Sequence, residues 1–181
     1  MIEKKICMLG AFAVGKTSLV RRFVTSCFSE QYQTTIGVTV DKKPLSIDGQ
    51  AVTLVLWDLY GEDEFQKLRR SYLRGSSGYL LILDGMRRAT LDIAVRIQQT
   101  ALDALGPVPF VVLINKHDRQ PDWEITDQDL AQLAERGWTV LLGSAKTGQG
   151  VEEAFLTLAR SMLLLLTSQE SPSSGGKTDG S

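Results

Sequence analysis

Short apolar runs alternate along the chain with stretches whose apolar residues recur at helical spacing. Ile6-Cys7-Met8-Leu9 reads as a buried strand, followed by a glycine-bounded loop and a helix from about Lys16 to Ser26. Gly37 to Ile47 reads as a strand whose Pro44 marks an edge or a bulge, because proline has no N–H to give to a ladder. Asp48-Gly49 is a hairpin turn signal, and Ala51 to Trp57 is the strand that follows it. Glu62 to Arg74 reads as a helix, but a very polar one. Tyr79 to Leu83 is a continuous apolar run bounded by Gly78 and Asp84. Residues 89–105 place Leu91, Val95, Leu102 and Leu105 at helical spacing, and Phe110 to Ile114 is another buried strand. Thr126 to Arg136 opens on Thr126 as an N-cap and stops at Gly137. Trp138 to Leu142 reads as the last strand and Val151 to Leu166 as the last helix.

Fully apolar strands separated by helices imply a parallel sheet covered on both faces. The expected fold class is therefore α/β, with six mostly parallel strands and one antiparallel edge from the hairpin. The chain has 181 residues, which points to one domain, expected over residues 1–168. Residues 169–181 (QESPSSGGKTDGS) have the composition of a disordered tail. A net charge of −1 removes the electrostatic case for nucleic acid as a partner. Cys7 and Cys27 make no disulfide framework; Cys7 reads as a small buried hydrophobe, and Cys27 as similar or partly exposed. The N-terminus carries no signal-peptide pattern, and runs such as Met162 to Leu166 are too short to span a bilayer. The expected setting is reduced and cytoplasmic.

The strongest local pattern is Gly10-Ala11-Phe12-Ala13-Val14-Gly15-Lys16-Thr17, which matches G-x-x-x-x-G-K-[ST] between a strand and a helix. Gly10 and Gly15 let the backbone curl so that successive N–H groups, across Ala13, Val14 and on to Ser18, face phosphate oxygens. The helix N-terminus adds partial positive charge. Lys16 reaches the β- and γ-phosphates, and the Thr17 hydroxyl takes a Mg²⁺ position. Asn115-Lys116-His117-Asp118 follows directly on the strand FVVLI. Alone it reads equally well as a surface turn. Behind a phosphate loop, the Asp118 carboxylate can accept two hydrogen bonds from guanine N1–H and the 2-amino group, a pair that adenine lacks. Ser144-Ala145-Lys146 can supply a backbone N–H for guanine O6 and an aliphatic stem for its ring face. Asp58, at the end of AVTLVLW, stands where Mg²⁺ and phosphate meet in such a sheet, and Gly61 can present its N–H to a γ-phosphate.

GAFAVGKT, Thr35, WDLYG, NKHD and SAK occur in the order and spacing of the Ras-like small GTPases, a P-loop NTPase family whose catalytic module is called the G domain. Ser71 to Tyr79 followed by LLILD is similar to the Rab branch in particular, and the resemblance covers residues 1 to about 166. It implies GTP and GDP as ligands with Mg²⁺ as cofactor. It implies that Thr35 completes Mg²⁺ coordination when the γ-phosphate is present, and that Asp58 holds Mg²⁺ through water. Phe28 resembles the aromatic that packs edge-on against guanine, and Tyr32 the tyrosine that covers the phosphates; each is also readable as an ordinary packing aromatic. Asn115 and Asp118 would fix the base, with Lys116 and Lys146 along it. Lys16, Thr35, Gly61 and Glu62 would carry catalysis.

Three departures fall on the hydrolytic half of that pattern. Phe12 and Ala13 stand where the family usually has small residues, often glycine, and Phe12 would crowd the γ-phosphate and any inserted arginine. Glu62 replaces the water-positioning glutamine; it accepts a hydrogen bond from water but cannot donate to a phosphate oxygen, and its charge opposes the γ-phosphate. Leu59 and Tyr60 replace a usual small pair. The chain ends without the prenylated cysteines usual in Rab-like proteins, and Ile2 is not the glycine that myristoylation needs, so no lipid anchor is expected. Peripheral membrane association is then expected only through a partner. Leu163 to Leu166 reads as core face of the last helix, with a membrane-touching end as the minor reading. His117 reads as surface filler, and Arg69-Arg70 and Arg87-Arg88 as solvated faces, with a partner contact possible at Arg69-Arg70.

The expected function is a monomeric guanine-nucleotide switch that hydrolyses GTP slowly, with effectors and regulators meeting residues 28–38 and 59–74. The alternative is a non-hydrolysing GTP-binding interaction module. A scaffold with vestigial nucleotide binding is a third reading, opposed by the intact Lys16, Thr17, Asn115 and Asp118.

Overall fold

In the computed structural model, residues 2–30, 37–59 and 69–169 are described, the side chains of 166–169 excepted. Strands β1 (Ile2–Gly10), β2 (Val38–Ile47), β3 (Gln50–Leu59), β4 (Gly78–Asp84), β5 (Phe110–Asn115) and β6 (Val140–Leu142) form one sheet in the order β2-β3-β1-β4-β5-β6. Every pairing is parallel except β2 with β3. The hairpin turns at Asp48 (φ +50°) and Gly49 (φ +82°), both in the left-handed region that a tight hairpin of this hand requires. Pro44 sits opposite Thr53 in an unbroken ladder on the edge strand, so the edge reading holds and the bulge does not.

Alternation along the strands assigns the two faces. In β1, Ile6 and Met8 join a core with Leu19 and Phe23 of helix α1 (Lys16–Thr25) and Phe155, Leu158 and Met162 of helix α5 (Val151–Gln169). Cys7 and Leu9 point the other way, into a core with Leu91, Ala94, Ile97 and Ala101 of helix α3 (Ala89–Leu105) and Leu133 of helix α4 (Asp127–Glu135). The Phe23 and Phe155 rings stack at 4.0 Å between α1 and α5.

Several element boundaries differ from the expectation. β1 begins at Ile2 because Ile2 to Lys5 pair with Val52 to Val55 at the half-covered end of the sheet. Lys5 is at home there: its ammonium lies 3.8 Å over the Trp57 ring and donates to the Tyr72 and Arg74 carbonyls. Trp138 does not pair in β6; its ring packs edge-on against Phe110 instead. Of the helix expected over Glu62 to Arg74, the described part is α2 (Arg70–Leu73); residues 60–68 lie outside the described residues. α5 runs on to Gln169, but Leu164 and Leu165 are exposed, which corrects their assignment to the core face. The tail from residue 170 lies outside the described residues. Among the described residues, no helix is long and apolar enough to cross a membrane.

Candidate functional site

The carboxyl ends of β1, β3, β4 and β5 deliver Gly10, Asp58, Asp84 and Asn115 to one edge of the sheet, where open α/β sheets bind ligands. The loop after β1 closes tightly there. A Cβ at Gly10 (φ +152°) would stand 2.4 Å from the Ile82 carbonyl oxygen. A Cβ at Gly15 (φ +103°) would stand 2.3 Å from Asn115 Nδ2, so only glycine lets loop and strand end approach this closely. Lys16 is buried, and its Nζ reaches back across the loop to donate to the Gly10 carbonyl at 3.2 Å and the Ala11 carbonyl at 2.9 Å. Burial pulls the Lys16 pKa down to about 8; the Asp58 charge opposes that fall and the Arg87 charge adds to it. Ala13 adopts φ +59°, a left-handed conformation that costs a residue with a Cβ about 1 kcal/mol. Phe12, within the loop, and Ser18, in the first turn of α1, are half-buried.

Thr17 donates its hydroxyl to Asp58 Oδ2 at 2.5 Å. Asp58 is buried, and its Oδ1 has no hydrogen-bond partner among the described residues. Burial raises the Asp58 pKa, while the Thr17 hydrogen bond and the Lys16 charge lower it. A buried carboxylate oxygen without a donor, beside a hydroxyl, is the donor set of a hard cation such as Mg²⁺.

On the other side of the cleft, Asn115 works between loops. Its Nδ2 donates to the Val14 carbonyl at 2.9 Å, and its Oδ1 accepts from the Ala145 N–H at 3.0 Å. Asp118 Oδ1 accepts from the Ser144 hydroxyl at 2.6 Å, which steadies the carboxylate from a fully buried serine. The Asp118 residue itself is exposed. Lys116, at φ +70°, sends its ammonium to Asp84 at 2.6 Å. Lys146 pairs with Glu30 at 3.2 Å, and half-buried Phe28 packs against the α1–α5 core. Tyr32, Thr35, Tyr60, Gly61 and Glu62 lie outside the described residues.

Four side chains at this edge carry contacts that their sequence positions did not announce. Arg87 is no solvated face: it bonds Asp84 and the Phe12 carbonyl. Arg88 likewise grips Asp129 with two nitrogens. Arg22 of α1 donates to the carbonyls of Ala145, Lys146 and Ser26, tying the phosphate-side helix to the Ser144–Lys146 turn. His117 is half-buried, edge-on to Trp123 and 3.2 Å from Gln149. Asp84 was read only as the boundary of an apolar run; its place at a strand end, like that of Asp58, was the signal that could have marked it. Arg22 had no local signal for this tie, because Ala145 and Lys146 lie more than 120 residues away.

Sequence comparison decides what this cleft belongs to. A profile described as the Ras family matches residues 5–164. The chain belongs to the Ras family. It is 33% identical over 168 residues to the Ras-related protein Rab-4B of Homo sapiens and of Rattus norvegicus, which covers 92% of this chain and 79% of theirs. It is 32% identical over the same length to the Ras-related protein Rab-4 of Dictyostelium discoideum, covering 82% of that protein. This Ras-family chain is thus a Rab-like, GTP-binding small GTPase switch, and its six-stranded, mostly parallel α/β sheet is the fold expected of one.

Proposed function

We propose that the cleft binds GTP and GDP with Mg²⁺ and that the protein hydrolyses GTP slowly, working as a monomer. The observation that carries this is the buried Lys16 ammonium, held across the interior of a curled loop by two carbonyls and, among the described residues, in no ion pair. Such a cation is a poor structural element and a good phosphate ligand. An arriving polyphosphate exchanges those carbonyls for charged oxygens and restores the proton affinity that burial removed.

Thr17 and Asp58, joined by Thr35 in the GTP state, would hold Mg²⁺, which would supply neutralisation of the phosphate charge. Gly10, Ala13, Val14, Gly15, Lys16, Thr17 and Ser18 line the phosphates, and Gly61 offers its N–H to the γ-phosphate. Asp118, fixed by Ser144, keeps Oδ2 for the guanine N1–H and 2-amino group. Asn115 acts on the base indirectly, by joining Val14 to Ala145. Lys116, Lys146, Phe28 and Tyr32 frame base, ribose and phosphates. Water attacks the γ-phosphorus in line and the bond to the β-bridging oxygen breaks; Lys16 takes up charge on the leaving oxygens, while Glu62 orients the water poorly. Effectors and regulators meet residues 28–38 and 59–74, and membranes are reached through such partners.

Nucleotide analysis of purified protein followed by timed phosphate release tests this reading. Bound guanine nucleotide and phosphate release above the uncatalysed rate are expected. Asp118→Ala should erase the preference for GDP over ADP, and equal ADP binding by the natural chain ends the reading.

Phe12 within the loop, with Tyr60 and Glu62 in the sequence, favours a second reading, in which occupancy rather than turnover controls a partner. GTP retained unchanged for hours on purified protein would select it.

A further inference from the structure

Arg87 lies three residues beyond the end of β4, and its guanidinium holds two partners at once. Nε donates to Asp84 Oδ2 at 2.9 Å, and a terminal nitrogen donates to the Phe12 carbonyl at 2.8 Å. Asp84 is a firm anchor. Its side chain is 1% exposed; Oδ2 also accepts from Lys116 Nζ at 2.6 Å, and Oδ1 accepts from the Met86 N–H at 2.9 Å. A charged chain therefore runs from Lys116 through Asp84 and Arg87 to the phosphate loop. It joins the end of β5 to the loop after β1, as Asn115 does, but by a second route.

An ordinary surface ion pair contributes little. This one differs in two respects. Its acceptor is buried and bonded on both oxygens, so the guanidinium has a fixed seat and its bonds are charge-assisted. Its second partner is the carbonyl of the residue just before Ala13, whose φ of +59° the loop has to maintain without a glycine. The same cation is close enough to Lys16 for its charge to be felt there.

We propose that Arg87 is a positioning residue for the phosphate loop: by seating the Phe12 carbonyl against Asp84 it keeps the loop curled around the β-phosphate and prolongs the stay of bound nucleotide. The proposal rests on the guanine-nucleotide reading of the cleft. Arginine is required because the planar fork reaches both partners, whereas lysine offers a point charge that serves one.

The test uses the full chain, with GDP release followed by fluorescence and GDP and GMP titrated by calorimetry. Arg87→Ala should release GDP roughly ten- to a hundred-fold faster, the loss expected for one charge-assisted hydrogen bond. GMP lacks the β-phosphate, so its affinity should be unchanged. Arg87→Lys should fall between the two. Unchanged GDP release in Arg87→Ala overturns the proposal, and so does an equal proportional loss of GDP and GMP, which would mark a general structural effect. If Arg87→Ala does not fold by circular dichroism, Arg87→Lys decides: faster GDP release with unchanged GMP affinity supports the proposal, and natural behaviour overturns it. A natural chain that binds neither GDP nor GTP sinks the nucleotide reading and the proposal with it. Tight GDP binding shared equally by Arg87→Ala sinks the proposal alone.

Discussion

Ala13 holds its methyl group in the left-handed region, in a loop that needs that conformation whichever residue occupies it. Ala13→Gly removes the Cβ conflict and adds freedom to the unfolded chain, so the net gain should be about 0.5–1 kcal/mol. For a chain of this size that is a rise in Tm of roughly 1–4 °C, measurable by calorimetry on nucleotide-free protein. Unchanged or lower Tm would show that the loop gains nothing from glycine. The departures at Phe12 and Glu62 are expected to act on turnover. Phe12→Gly opens the space beside the γ-phosphate, and Glu62→Gln restores a donor. At least one of them should raise phosphate release on the order of tenfold or more; if neither does, crowding and charge are not what limits the rate. At this scale the sequence read well where a residue's task is set by its neighbours in the chain. Gly10, Gly15, Lys16 and Thr17 were legible as a group. Arg87 was not, because nothing local distinguishes an arginine that holds a carbonyl 75 residues away from one that faces water.

Helix α4 shows how an element secures its own start. The Thr126 hydroxyl accepts from the Asp129 N–H at 3.2 Å, and Asp129 Oδ2 accepts from the Thr126 N–H at 3.0 Å. Arg88 closes the arrangement from α3's N-cap position, 2.8 Å from Asp129 Oδ1. Thr126→Ala should cost about 1 kcal/mol by denaturant titration. The Thr126 N–H above all holds the Asp129 carboxyl below its ordinary value of 3.8; burial, the next largest effect, pushes the other way, and Arg88 and the Thr126 hydroxyl add to the lowering. A carboxyl with a depressed folded-state pKa contributes stability that is present above the unfolded value and lost as pH falls through the folded one. Asp129→Asn should therefore be less stable than the natural chain at neutral pH, and the gap should close as pH drops below 3.8. A gap that stays constant with pH would separate the cap from this ionisation. The cap at Thr126 was readable because it spans three residues; the arginine that completes it belongs to another element.

Across the whole molecule, ligand binding and stability are linked. The cleft is assembled from the ends of four strands, so nucleotide that fills it holds those ends together. At a concentration one hundred times Kd, GDP should stabilise the protein by about 2.7 kcal/mol, a Tm rise of roughly 5–10 °C, and ADP should not. Equal shifts from both would contradict guanine selection by Asp118. The core behind the cleft has its own measure. Leu158 is fully buried between α5 and the sheet, and Leu158→Ala should cost about 3 kcal/mol in denaturant unfolding. Arg22 and Asn115 are the ties that make one site of two loops. Both cross the sheet edge between residues distant in sequence, which no periodicity can report.

The alternation of apolar runs with helical stretches determined the α/β architecture, because strands buried on both faces must be apolar throughout and each must be followed by a covering helix. The glycines of the phosphate loop and the acid of NKHD pointed to the class of ligand, because close backbone approach and a carboxylate able to match guanine are properties of single residue types. Which side chains join the loops was decided only by the fold. Asn115 turned to Val14 and Ala145, Lys116 to Asp84, and Arg87 to Phe12. Each of those bonds needs two strand ends at hydrogen-bonding distance, and only the parallel sheet brings them there.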